Sequence, residues 1–170
     1  MKPELSIIFV YYNTPEEIIG ALKSISQAVG SISYEVIIVD NASSSALPPG
    51  VFKFPHVTVI HNKYNLGYGN ALNQGAKIAK GKYLLLCNPD VVFGKKSLSL
   101  LLGKLKSDPN IGIIGPQMQG KDKKVQQSIS GFPLLPDAIF AFSFLNKVMP
   151  LNPFSKRYWM KTVDKTKEQE

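Results

Sequence analysis

Four short apolar runs set the strongest limit on what this chain can fold into. They are LSIIFV (5–10), YEVIIVD (34–40), HVTVI (56–60) and KYLLLCN (82–88), each followed by turn-forming residues. The first, second and fourth carry almost no apolar–polar alternation, so they read as strands covered on both faces, which is the situation in a parallel sheet between helices. KYLLLCN is fully apolar in its middle and is expected at the centre of the sheet. Between the runs lie helical segments. Thr14 is placed to cap, Pro15 suits a first helical position and Glu17 completes a capping box. Ile18, Leu22, Ile25 and Val29 then recur at helical spacing. A second helix is expected through NALNQGAKIAK, with Gly81 in a C-cap position. A third, LSLLLGKLK, is capped by Ser97 and ended by Asp108-Pro109, and IGIIGP (111–116) reads as a short fifth strand. The order β-α-β-β-α-β-α-β predicts an α/β fold, a mostly parallel sheet flanked by helices and wound by right-handed crossovers.

With 170 residues, 44% of them hydrophobic and 19% charged, the chain has the composition of one globular domain. A chain of this size buries roughly 70% of its unfolded surface. The lone Cys87 cannot form an internal disulfide and sits in an apolar run, which fits a buried thiol and a cytoplasmic setting. The net charge of +8 is uneven, at +1 over residues 1–90 and +7 over 91–170. That surplus is read either as a solvated lysine-rich surface or as a site for an anionic partner, such as a membrane face. One arginine among many lysines and no recognised module exclude nucleic acid. Prolines and charges interrupt the apolar stretch 132–154, which is too broken to span a bilayer. It is expected to lie on a membrane surface, to pack against further protein, or to pair with a second copy. Beyond about residue 120 regularity fades, giving an α/β domain over 1–120 and an irregular, basic and apolar extension over 121–170, with DKTKEQE as a solvated end.

Ligands of open parallel α/β sheets sit outside the carboxyl ends of the strands, and the polar residues of this sequence fall there. The first strand leads into Tyr11-Tyr12-Asn13, the second into Asp40-Asn41, the third into Asn65-Leu66-Gly67, and the fourth into Asn88-Pro89-Asp90. Asp40 is suited to accept the imide N–H of a uracil or thymine ring, or else caps the Ser-rich turn after it. Asp90 is suited to a divalent cation that bridges a diphosphate, with Asn88 offering an amide to a ribose or phosphate oxygen; the competing reading is an Asn-Pro-Asp turn without a ligand. NLGYGNALNQG, which contains Asn73, is punctuated by glycines and opens a helix whose N-terminus attracts phosphate. Gly67 and Gly69 lack the third glycine of a dinucleotide fingerprint and follow the wrong strand for it, which disfavours an oxidoreductase. His56 and His61 have no partners at metal-ligand spacing and read as structural or solvated. No Ser-His-Asp or Cys-His arrangement is visible.

Together, VYYNTPEEI, VIIVDNASS, NLGYGNALNQG, YLLLCNPDV and GPQMQGKDKKVQQSISGFP resemble the family 2 glycosyltransferases, in particular their rhamnosyltransferase-like branch, over roughly residues 4–133. The resemblance implies a Rossmann-like, A-type nucleotide-sugar transferase fold and an inverting transfer. The sugar would pass from a nucleoside-diphosphate donor, with dTDP or UDP favoured, to a saccharide or lipid-linked acceptor of cell-surface polysaccharide synthesis. It places Tyr12 and Asn13 near the nucleotide, Asp40 on the base, Asn65 and Gly67 at the pocket floor, and Asp90 on Mg²⁺ or Mn²⁺. The basic second half and the apolar 132–154 stretch fit a cytoplasmic protein at the inner face of the membrane. Asn88-Pro89-Asp90 departs from a two-carboxylate motif. Family members continue with a glycine-rich acceptor segment and an acidic motif that carries the general base. No acid after Asp90 stands in such a motif, so no catalytic base is assigned and the chain reads as truncated. The alternative is a non-catalytic sugar-nucleotide-binding or assembly module completed by a partner chain.

Overall fold

The computed structural model describes residues 2–120, 122–126, 128, 130–132, 134–150 and 152–160. The tail from Lys161 onward, which contains DKTKEQE, lies outside them. The chain forms two compact units, 1–114 and 115–170.

The first unit holds β1 (Leu5–Tyr11), α1 (Pro15–Ala28), β2 (Tyr34–Asp40), β3 (Val57–His61), α2 (Tyr68–Ile78), β4 (Tyr83–Cys87) and α3 (Ser97–Ser107), with a 3₁₀ turn at Pro49–Lys53. The four strands make one parallel sheet in the order β3-β2-β1-β4. Every residue of β1 is buried, because it lies between β2 and β4 and is covered on both faces. Leu5, Ile7, Phe9 and Tyr11 point into the larger core with Ile18, Leu22 and Ile25 of α1 and Leu98 of α3. Ile8 and Val10 join Ile37, Val39 and Ala71 beneath α2. The result is three layers, α1 and α3 on one side and α2 on the other.

β4 does not lie at the sheet centre. It pairs with β1 alone among the described strands. Tyr83 and Leu85 pack toward α1 and α3, while α2 covers β1 and β2 and leaves Leu84 and Leu86 half-exposed. Leu84 and Leu86 are therefore apolar on a face that the described elements leave partly open, in a strand at the edge of the described sheet. The expected strand at 111–116 is absent too. A strand needs a ladder partner for its backbone groups, and the segment has none among the described residues, with Ile113 93% exposed.

Three expected caps also differ. Thr14 occupies the N-cap of α1 but its hydroxyl makes no capping bond. Lys96, in a left-handed conformation, takes the N-cap of α3, so Ser97 is the first helical residue. α2 ends at Ile78 with Ala79 as its C-cap, and Gly81 lies beyond it, its N–H donating to Ser6 Oγ at 2.8 Å.

The second unit contains α4 (Leu135–Phe142), α5 (Leu145–Val148) and α6 (Pro153–Tyr158). Asp137, fully buried, accepts both contacts of Arg157 Nη2 at 2.8 and 2.7 Å and the Leu134 N–H at 3.2 Å. Phe140 stacks on Phe154 with ring centres 5.0 Å apart. The ion pair and the ring stack tie α4 to α6.

Candidate functional site

Sheet order decides where a ligand can sit. β2 and β3 follow β1 toward one side, whereas β4 returns to β1's other flank. A crevice opens at such a reversal, beyond the carboxyl ends of the strands. A cleft of about 400 Å³ occurs there, lined by Val10, Tyr12, Thr14 and Glu17 after β1, by Asn41 and Asn65, by Tyr68 of α2, and by Asn88, Pro89 and Asp90 after β4.

Asp40 and Asn41 end β2 and are both nearly buried. Asp40 Oδ1 accepts the Ser43 N–H at 3.0 Å, so it does cap the Ser-rich turn. Its Oδ2 lies 3.2 Å from His61 Nδ1. The pairing follows from register, since Asp40 and His61 are direct partners across β2 and β3. Each carboxylate oxygen has two acceptor directions, so Asp40 keeps capacity for a further N–H.

Asn41 fastens the loop that precedes α2. Its Nδ2 donates to Asn65 Oδ1 at 2.8 Å, and its Oδ1 accepts the Leu66 N–H at 3.0 Å and Asn62 Nδ2 at 3.2 Å. Asn65 Oδ1 also accepts the Gly67 N–H, and Asn62 reaches Gln74 Oε1 at 2.8 Å. Gly67 then takes φ +78 at the N-cap of α2, a region costly to residues with a Cβ. These amides hold the end of β2, the 62–67 loop and the start of α2 as one piece.

The remaining candidates divide. Tyr12, Asn88 and Asp90 are exposed on the cleft. Asn13 has φ +53, and its Oδ1 accepts the N–H and the hydroxyl of Ser44, both at 2.9 Å, which commits it to the loop after β2. Tyr11 is fully buried in the core and does not line the cleft. Burial pushes its phenol pKa up, with Ser45 opposing and Asp40 and Glu17 adding to the rise; its hydroxyl makes no bond of good geometry. Asn73 faces a separate groove of about 630 Å³ along α2, lined also by Leu66, Asn70 and Lys77. That groove is wider but holds no acid, so the cleft at the strand ends is the better place for chemistry.

Several members of the cleft carry no ligand signal in the sequence. Glu17 and Thr14 fit a helix-capping pattern yet line the cleft, and Tyr68 faces it from α2. Burial raises the Tyr68 phenol pKa, with Cys87 and Asp90 adding to it, so Tyr68 is a neutral donor near neutral pH. His61, Asn62 and Gln74 enter through their hydrogen bonds alone.

The donor set bears on a metal. No group of three His, Cys, Asp or Glu side chains converges among the described residues. The cleft offers the Asp90 carboxylate with the Asn88 amide two residues away, and Glu17 elsewhere on its wall. Such a set fits a hard cation that takes one or two protein carboxylates and fills its other positions from phosphate and water.

The family model for glycosyl transferase family 2 matches residues 6–160. The chain belongs to glycosyltransferase family 2. Similar proteins include an uncharacterized glycosyltransferase of Haemophilus influenzae, 37% identical over 65% of this chain and 37% of its own length. Another is the N-acetylglucosaminyl-diphospho-decaprenol L-rhamnosyltransferase of Mycobacterium tuberculosis, 28% identical over 93% of this chain and 55% of its own. The chain thus spans between about a third and just over half of these relatives. Among solved structures, the mannosyltransferase PcManGT of Pyrobaculum calidifontis, in complex with GDP-Man and Mn²⁺, superposes with a TM-score of 0.57 at 22% identity, over 66% of this chain and 34% of that one. S. aureus TarS 1–349 in complex with UDP gives 0.54 at 22%, over 61% and 32%. These likenesses establish the A-type nucleotide-sugar transferase fold of this family 2 chain.

Proposed function

We propose that this chain is the donor-binding part of an inverting glycosyltransferase. The supporting observation is the cleft at the β1–β4 reversal, where Tyr12, Asn41, Asn65, Asn88 and Asp90 meet at the carboxyl edge of the sheet. In this reading the base of a UDP- or dTDP-sugar lies toward Asp40, which accepts its imide N–H with the acceptor capacity left beside Ser43 and His61. Tyr12 and Tyr68 flank the nucleotide, and the amide-braced loop carrying Asn65 and Gly67 forms the floor.

Asp90, with Asn88, would hold Mg²⁺ or Mn²⁺ against the diphosphate. Such an ion, when bound, neutralises charge on the departing nucleoside diphosphate. The chain's own residues orient the donor and fix its base. Inversion also needs a base within about 3 Å of the acceptor hydroxyl, and no residue here is assigned that task. We therefore assign donor binding to this chain. The acceptor class we favour is a saccharide or lipid-linked sugar at the cytoplasmic membrane face; the mycobacterial relative is named for a diphospho-decaprenol acceptor.

Calorimetric titration with UDP-, dTDP- and GDP-sugars, with and without Mn²⁺, tests the reading. Metal-enhanced binding of a uridine or thymidine donor is expected. Absence of binding to every nucleotide sinks it.

A further inference from the structure

We propose that the second unit docks on an anionic lipid surface through the outward stripe of α4 and the turn into α5. Leu135, Ile139 and Phe142 fall at i, i+4 and i+7, one face of α4. They are exposed, Leu135 to 77% and Phe142 to 66%, and Phe144 just beyond is 72% exposed. The opposite face of α4 is already used, Asp137 by Arg157 and Phe140 by Phe154. Phe142 also meets Tyr158 and Trp159 edge-on, with ring centres 5.3 and 6.0 Å away, whereas Leu135, Ile139 and Phe144 stay exposed outside the packing face. Contiguous apolar surface of this kind is uncommon without a partner.

Charge selects the partner. Between residues 131 and 160 the sequence holds one acid, Asp137, against Lys147, Lys156 and Arg157. Asp137 is fully buried and bound to Arg157. No carboxylate of α4–α6 is left to repel an anionic headgroup, whereas Lys147 and Lys156 make no ion pair among the described residues. No described helix is long and apolar enough to cross a bilayer. Short helices with an apolar ring-bearing face and unpaired lysines suit insertion at the headgroup–acyl boundary.

The chain's single tryptophan, Trp159, lies 6.0 Å from the Phe142 ring and reports on this face. The full chain is floated with phosphatidylcholine vesicles containing phosphatidylglycerol, and with phosphatidylcholine alone, while Trp159 emission is followed. Flotation with the anionic vesicles, a blue shift, and weakening by salt are expected. The double variant Leu135→Ser/Phe144→Ser should partition roughly tenfold or more weakly. Lys147→Glu/Lys156→Glu should lose about fivefold per charge. Both pairs are outside the cleft, so UDP titration of each should match the parent, which separates a lost lipid surface from a failed donor reading. No flotation with anionic vesicles overturns the proposal, as does flotation that neither double variant alters. Concentration-dependent dimerisation in light scattering that Leu135→Ser/Phe144→Ser abolishes also overturns it, by giving the face to a second copy.

Discussion

Replacing Asn41 by Asp changes almost no volume and one hydrogen-bonding sense. Asn41 is 3% exposed. A carboxylate there can still accept from Leu66 N–H and Asn62 Nδ2, but the Nδ2 that donated to Asn65 Oδ1 at 2.8 Å becomes an acceptor facing an acceptor. If the Asn65 amide turns to donate, the Gly67 N–H loses its partner instead. Either way one hydrogen bond is lost, about 1 kcal/mol. Desolvating the new charge adds to this, partly offset by charge-assisted acceptance from Leu66 and Asn62. We expect a loss of about 2–4 kcal/mol in urea unfolding followed by far-UV circular dichroism. Burial raises the new carboxyl's folded pKa above its unfolded value. Stability of the variant then falls as pH rises, and the deficit shrinks as pH is lowered toward the ordinary carboxyl range. UDP affinity should fall with it, because the loop carrying Asn65 and Gly67 is released. A variant as stable as the parent at neutral pH, with unchanged UDP affinity, would refute the idea that these amides brace the site.

The two glycines before α2 should behave differently. Gly67→Ala forces a Cβ into φ +78 and ψ 157, a region essentially confined to glycine, and should cost about 1–3 kcal/mol in thermal or urea unfolding. Gly69→Ala meets nothing within 4 Å and should gain up to about 1 kcal/mol of helix stability. Burial, with Asp90 adding to it, pushes the Cys87 thiol from 9.0 up to about 12. Alkylation by iodoacetamide near neutral pH should therefore be slow in the folded protein. Between those two values the unfolded chain releases a proton that the folded one keeps, so stability should fall with rising pH across that window, and Cys87→Ala should flatten the fall. Arg157→Ala leaves the buried Asp137 carboxylate with the Leu134 N–H as its one partner among the described residues. Because Arg157 is itself half-exposed, we expect a loss of about 1–3 kcal/mol, read as altered Trp159 emission.

How much of this was legible in sequence depended on whether the signal was local. β1 and β2 announce themselves because continuous apolar runs occur where both faces are covered, and the polar residues after each strand mark the carboxyl edge. Place within the sheet is not local. Leu84 and Leu86 are apolar although half-exposed, so sequence alone puts at the centre a strand that lies at the edge of the described sheet. The Asp40–His61 contact depends on the β2–β3 register, and the Asn41–Asn65 bond on the meeting of two loops 24 residues apart. Neither spacing carries a pattern. Glu17 and Thr14 satisfy helix capping, a local rule, while the structure places both on the wall of the cleft.

The most direct test of the central claim compares two variants by calorimetry with a UDP-sugar, with and without Mn²⁺. Asp40 and Asp90 are given different tasks on one ligand. Asp90→Ala should abolish the increment from metal and leave metal-free binding near the parent's. Asp40→Ala should weaken both by a similar factor. A metal increment that survives in Asp90→Ala, or nucleotide binding indifferent to both substitutions, would contradict the assignment of this cleft to a nucleotide-sugar donor.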